Sequence, residues 1–157
     1  MDSFIESMIY LSIYKILIEY LELKDIKNII HEYYKEYMED NKELLLSTGI
    51  RMFTNENIDM LRESAYLSEE IKFKDDYIVE FLDEKENSYN FGNNTHKCPI
   101  NDFFIKHNAS DLMIHICELD YIRSEYMKSG LDRKYCLAKG DRYCSFRWNK
   151  GKKPIWR

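Results

Sequence analysis

Four cysteines, Cys98, Cys117, Cys136 and Cys144, are the residues of this chain best suited to chemistry, and His96, Asp120 and Arg133 lie near them in sequence. Cys98 precedes Pro99, and proline is well placed in a first helical turn because the N–H it lacks would be unpaired there. A cysteine capping that helix meets the positive end of its dipole and the free N–H groups of the first turn, which favours thiolate. The position therefore suits a nucleophile, with His96 two residues upstream as base or proton carrier if the chain folds it back. A plain helix cap is the simpler role for the same sulfur.

Cys117 and Asp120, in "CELDY", are three apart and share a face if the segment is helical. A carboxylate beside a thiol can orient an amidine or ammonium group, accept a proton, or hold an arginine, for which Arg133 is the candidate. Cys136 and Cys144 flank Lys139-Gly140-Asp141 in "KYCLAKGDRYCSF". A two-residue turn there sets Tyr135 opposite Cys144, a three-residue loop sets Cys136 opposite it, and both registers stay open. The simplest role for this pair is that of small buried hydrophobes beside Phe146. The C-x2-C and H-x3-5-H spacings of common zinc sites are absent, so no metal is expected.

The elements that must position these groups change character along the chain. Phe4, Met8, Leu11, Tyr14, Ile18 and Leu21 recur at helical spacing over 3–23. A second helix is expected over 24–46, ended by Ser47-Thr48-Gly49 with Gly49 as a left-handed cap. A third starts at Thr54 or Asn55, with Ile58, Leu61, Ala65 and Tyr66 inward. Alternation at Tyr77, Val79 and Phe81, the turn-forming "EKEN", and Tyr89 and Phe91 predict a β-hairpin. "THKCPINDFFIKHN" reads as a helix starting at Cys98-Pro99. "SDLMIHICELDYIRSEYMKSG" is helical in its second half and closed by Gly130, and 131–138 with 142–149 form a second hairpin. The expected fold is α+β, with N-terminal helices packed on one face of an antiparallel sheet built from two β-hairpins. The other face, with the segment 98–126, borders the pocket. One domain over 1–157 is expected, 1–70 a helical layer and 75–150 the hairpin-helix-hairpin portion that carries the site.

With 28 acidic against 23 basic residues the chain carries a net charge of −5, which argues against a nucleic-acid partner. Only the tail "RWNKGKKPIWR" is basic, and it reads as solvated. Glu6, Lys15 and Glu19 interrupt the first apolar stretch well short of a membrane span, and no leader pattern is visible, so a cytoplasmic protein is expected.

Taken together, "CPINDFF", "ICELDY" and "LDRKYCLAKGDRYCSFRW" resemble the C-terminal part of the L-2-amino-thiazoline-4-carboxylic acid hydrolase family over residues 89–148. The resemblance puts Cys98, Cys117, Asp120, Arg133, Gly140, Cys144 and Phe146 on motif positions, and departs at Ser145, where aspartate is expected. It implies a hydrolase acting on C–N bonds of a small cyclic isothiourea or amidine. Cys98, Asp120, Cys117 and His96 would be its catalytic residues, and Arg133 and Cys144 its substrate-binding residues. No cofactor is expected. The expected partner is the small-molecule substrate, with a homo-oligomer as a further option, and neither nucleic acid nor membrane. The run from Cys136 to Phe146 is also similar to the 4-vinyl reductase type of small-molecule-binding domain, which implies binding of a small molecule or metal without turnover.

Overall fold

Local chain preferences account for most of the breaks between elements in the computed structural model, which describes residues 3–71, 75–85 and 88–157. Four helices come first, α1 (Ser3–Leu17), α2 (Leu23–Asp40), α3 (Lys42–Met52) and α4 (Asn55–Ile71). Strands β1 (Ile78–Leu82) and β2 (Phe91–Lys97) follow, then helices α5 (Pro99–Lys106) and α6 (Ser110–Met127). Strand β3 (Asp132–Arg133), a 3-10 turn (Leu137–Lys139) and β4 (Cys144–Trp148) complete the fold. The strands form an antiparallel sheet in the order β1-β2-β4-β3, so two hairpins join through β2 and β4 as the α+β expectation requires.

The helical half departs from the periodicity in two places. The expected second helix breaks at Asn41, whose side-chain amide donates to the Tyr37 carbonyl at 2.8 Å and ends α2. The chain then restarts as α3 and runs through Gly49 as helix, so Gly49 is no left-handed cap. It is buried where α3 crosses α6, and a Cβ there would stand 1.9 Å from the Met127 carbonyl oxygen. In α1 the buried side is Ser7, Tyr10, Leu11 and Tyr14, while Met8, and Ile18 just beyond its end, stay exposed. The expected face was rotated because the apolar residues there run nearly all round the helix. In α4, Ala65 is buried, Ile58 and Leu61 half-buried, and Tyr66 exposed.

α6 is the hub. It packs on α2, α3 and α5, and Ile26, Phe104 and Leu112 meet in the core with no exposed surface. Burying one such side chain contributes about 1.5–3 kcal/mol. α6 is helical from Ser110 onward, with Lys128 in the left-handed conformation (φ 53°) at its C-cap, followed by Gly130 at φ 59°. The helix expected to start at Cys98-Pro99 does so, and the "THK" before it is the end of β2. The turn expected at "EKEN" falls partly on Glu86 and Asn87, which lie outside the described residues.

Strand alternation sorts the sheet into two faces. Phe91, Asn93 and Thr95 pair with Trp148, Phe146 and Cys144, and Arg133 pairs with Phe146, so these share the inner face. Glu80, Asn94, His96 and Arg147 lie on the outer one, joined by hydrogen bonds from Asn94 Nδ2 to Glu80 Oε2 at 2.7 Å and from Arg147 Nη2 to Asn94 Oδ1 at 2.9 Å. The pocket lies on the helix-covered inner face and not, as expected, on the other. The reason is that α5 and α6 join the N-terminal helices in one layer.

Both sheet edges are engaged. Ser68 of α4 accepts from Val79 N at 3.0 Å at β1. Along β3 the basic tail stays largely exposed, as expected, but is tethered at its end. Ile155 N donates to the Leu131 carbonyl at 2.8 Å, Trp156 stacks on Tyr121 at 4.9 Å, and Arg157 grips Asp132 through two bonds of 2.6 and 3.0 Å.

Candidate functional site

A cavity of about 310 Å³ lies between the inner sheet face and helices α1, α2 and α6. α6 supplies Cys117, Asp120 and Arg123 at successive turns, the sheet supplies Thr95, Cys144, Phe146 and Arg133, and Cys98 closes the end where β2 passes into α5. Glu6 and Tyr10 of α1 and Tyr34 of α2 face them. Five of the six residues expected at the site on sequence grounds, Cys98, Cys117, Asp120, Arg133 and Cys144, thus line one cavity.

His96 does not join them. In β2 it is one step out of phase with Thr95, so its ring points to the outer face, 3.3 Å from Glu80 and against Tyr143. The cause is the strand period, which sets neighbouring side chains on opposite faces.

Arg133 is 4% exposed and holds the far side of the site together. Its Nη1 donates to Asp120 Oδ2 and its Nη2 to the Cys117 carbonyl, each at 2.6 Å, and its guanidinium lies over the rings of Tyr121 and Phe146 at 5.0 and 5.2 Å. Asp120 is fixed in direction by this pair, yet its side chain keeps 44% of its surface, on a wall of the cavity. Burial raises the Asp120 carboxyl, and Arg133 pulls it back without cancelling the shift.

Cys98 occupies the N-cap of α5 with extended backbone (φ −127°, ψ 109°), as Pro99 favours. The expected depressed pKa is corrected. Burial pushes the thiol up, and the N–H groups of Asn101 and Ile100 and the Tyr77 hydroxyl, all favouring thiolate, do not offset it.

The hairpin register follows neither simple alternative to its end. Asp132 and Arg133 pair with Arg147 and Phe146, a register that would carry Tyr135 to Cys144. The ladder then stops, because Ser145 Oγ accepts from both Lys134 N and Tyr135 N, at 3.0 and 2.9 Å. The 3-10 turn, ended by Gly140 at φ 86°, swings Cys136 back onto Cys144. The neighbouring Cys117 and Cys144 thiols and the Arg133 charge push the Cys136 thiol below the ordinary thiol range. Those two thiols are pushed up in turn, by Cys136 and by burial. Leu137 N also donates to Cys144 Sγ at 3.2 Å. Sequence spacing missed this three-thiol cluster because Cys117 reaches it from α6. It also missed Arg123, Tyr34 and Glu6, of which only Arg123, at i+3 from Asp120, left a signal.

The arrangement offers a carboxylate fixed by a buried arginine, a capping thiol at one end of the cavity, and the Cys117 and Cys144 thiols on its wall with Cys136 behind them. Such a set can hold a cationic amidine and present sulfur to its carbon.

Among the described residues no helix is long and apolar enough to cross a membrane, and no three His, Cys, Asp or Glu side chains are grouped to hold a metal ion. No curated protein matches the chain. A solved structure, a trafficking protein particle complex subunit 3 from Naegleria fowleri covalently bound to palmitic acid, is similar at 15% identity and a TM-score of 0.44. The alignment covers 95% of this chain and 96% of that one. The family model described as L-2-amino-thiazoline-4-carboxylic acid hydrolase matches residues 3–148, taking in the helical half as well as the cysteine-bearing half, and the chain belongs to that family.

Proposed function

We propose that the protein hydrolyses a small cyclic isothiourea or amidine of the L-2-amino-thiazoline-4-carboxylic acid kind, with Cys98 as nucleophile. The observation that carries this reading is the convergence of Cys98, Cys117, Asp120 and Cys144 on one cavity in which Arg133 fixes the carboxylate at 2.6 Å. The substrate amidinium docks on Asp120, and its positive charge favours the Cys98 thiolate that burial otherwise suppresses. Cys98 sulfur adds to the carbon between ring sulfur and ring nitrogen. The ring C–N bond breaks, and the departing nitrogen takes the proton lost by the Cys98 thiol. Water then adds to the sulfur-bound carbon and the Cys98 thiol leaves, giving the ring-opened S-carbamoyl product with one water consumed. Arg133 acts as a positioning residue through Asp120, and His96 takes no part.

Purified protein incubated with L-2-amino-thiazoline-4-carboxylate and followed by mass spectrometry should gain one water per ring opened. Cys98→Ser should lower kcat/KM by about 10³-fold or more with the fold intact by circular dichroism, and Asp120→Asn should weaken substrate binding and slow turnover together. Release of a substrate thiol detected by a disulfide reagent would show C–S instead of C–N cleavage and overturn the bond assignment. Tight binding of the ring without turnover would make the protein a ligand-binding domain.

A further inference from the structure

Arg123 stands one turn beyond Asp120 on α6, and both line the cavity, Arg123 at its solvent-exposed rim. Their charges fare differently. Asp120 is taken up by Arg133, whereas Arg123 makes no hydrogen bond or ion pair with any described residue. Across the cavity Tyr34 is 4% exposed, and its hydroxyl also lacks a partner among the described residues. No fully enclosed side-chain nitrogen or oxygen among them is left unpaired, so the Tyr34 oxygen reaches open space, and Tyr34 lines both this cavity and a neighbouring one that it shares with Glu6 and Arg123. The Arg123 charge acts on both Tyr34 and Asp120, which sets all three within electrostatic range.

Glu6 and Asp120 are the acids of the cavity wall, and Arg123 and Arg133 its bases, so the wall is neutral but divided. The Tyr10 hydroxyl donates to Glu6 at 3.2 Å. A bare amidinium would satisfy Asp120, leave Arg123 to solvent and leave the buried Tyr34 hydroxyl without a protein partner. A dianion would set its second carboxylate against Glu6 or Asp120. A dipolar ligand satisfies both ends, and side chains three residues apart on a helix are roughly 5–6 Å apart, close to the span of a five-membered ring with its substituent.

We propose that Arg123 and the Tyr34 hydroxyl form a carboxylate anchor, so that the cavity selects a zwitterion with its cyclic amidinium at Asp120 and its carboxylate one ring-width away. The amidinium end rests on the function proposed above, and the carboxylate end rests on the two unpartnered groups.

Titration calorimetry in a Cys98→Ser background, which prevents turnover, would compare L-2-amino-thiazoline-4-carboxylate with 2-aminothiazoline, the same ring without its carboxylate. The carboxylated ring should bind about tenfold tighter or more, as a charge-assisted contact implies. Arg123→Met should bring the ratio of the two dissociation constants to about one, and Tyr34→Phe should cut it by about threefold. Equal binding of the two rings before substitution, a ratio that survives Arg123→Met, or no binding of either ring would each overturn the anchor. Because binding is read without turnover, a protein that binds the carboxylated ring preferentially but never opens it defeats the hydrolase reading and leaves the anchor standing.

Discussion

At the Cys98 sulfur two influences oppose each other. The N–H groups of the first turn of α5 stabilise the thiolate, and burial, the larger of the two, destabilises it. Iodoacetamide should therefore label Cys98 slowly at neutral pH and faster as pH rises past about 9, and an amidinium ligand should block the site while shifting the residual labelling to lower pH. Fast labelling at pH 7 in the free protein would show that the first-turn N–H groups outweigh burial. Much of the residue-scale chemistry was legible in the sequence. Pro99 marked the cap, and the i, i+3 spacing joined Cys117 to Asp120. His96 was misplaced because the chain was expected to fold it back towards Cys98, whereas the strand runs to Lys97 and adjacent residues face opposite ways. The raised thiol was not legible, since the surroundings that bury Cys98, Tyr77 among them, come from other segments.

At the level of elements, the α3–α6 crossing inverts an ordinary expectation. Gly→Ala within a free helix gains about 1 kcal/mol. At Gly49 the added methyl would meet the Met127 carbonyl at 1.9 Å and force the helices apart. Gly49→Ala should instead cost about 2–3 kcal/mol in urea denaturation, and a raised midpoint would contradict this packing. The sequence showed a glycine and no partner for it, so a cap was the natural reading. The α2–α6 junction adds a pH dependence. Burial holds His31 below its ordinary value of 6.5, with the His115 carbonyl pulling the other way. Burial pushes Glu118 up, but Lys27 at 2.9 Å and His115 at 3.3 Å outweigh it and hold it low. For both groups the unfolded chain takes up a proton at higher pH than the folded one. Stability is therefore full above about pH 6.5, falls as pH drops through the range of His31, and falls again below about 4.5 as Glu118 protonates. Between pH 7.5 and 5.5 the protein should lose roughly 0.5–1 kcal/mol, and His31→Gln should flatten that slope. Greater stability at pH 5.5 would reverse the assignment.

For the whole molecule, the two hairpins and the helical layer could be read from alternation and helical periodicity. The order β1-β2-β4-β3 and the docked tail could not, since both depend on contacts distant in sequence. Ile155, Trp156 and Arg157 close the β3 edge, and an open edge is a template for pairing with other chains. Removing 155–157 should leave far-ultraviolet circular dichroism nearly unchanged and produce concentration-dependent oligomers in size-exclusion chromatography with light scattering. A truncated chain that behaves as the full one does would show that β3 needs no cover. The same docking has a meaning in time. Trp156 stacks on Tyr121, the ring over which the Arg133 guanidinium lies. During synthesis the chain leaves the ribosome at roughly 5–20 residues per second, N-terminal part first. The helical layer and the β1-β2 hairpin can assemble while the rest is still being made, but β4 has to slot between β2 and β3, and the prop behind Arg133 arrives only after β4 has been made. A nascent chain stalled before Trp156 would hold an Asp120–Arg133 pair still without that support, and ligand binding would then begin only once Trp156 has emerged.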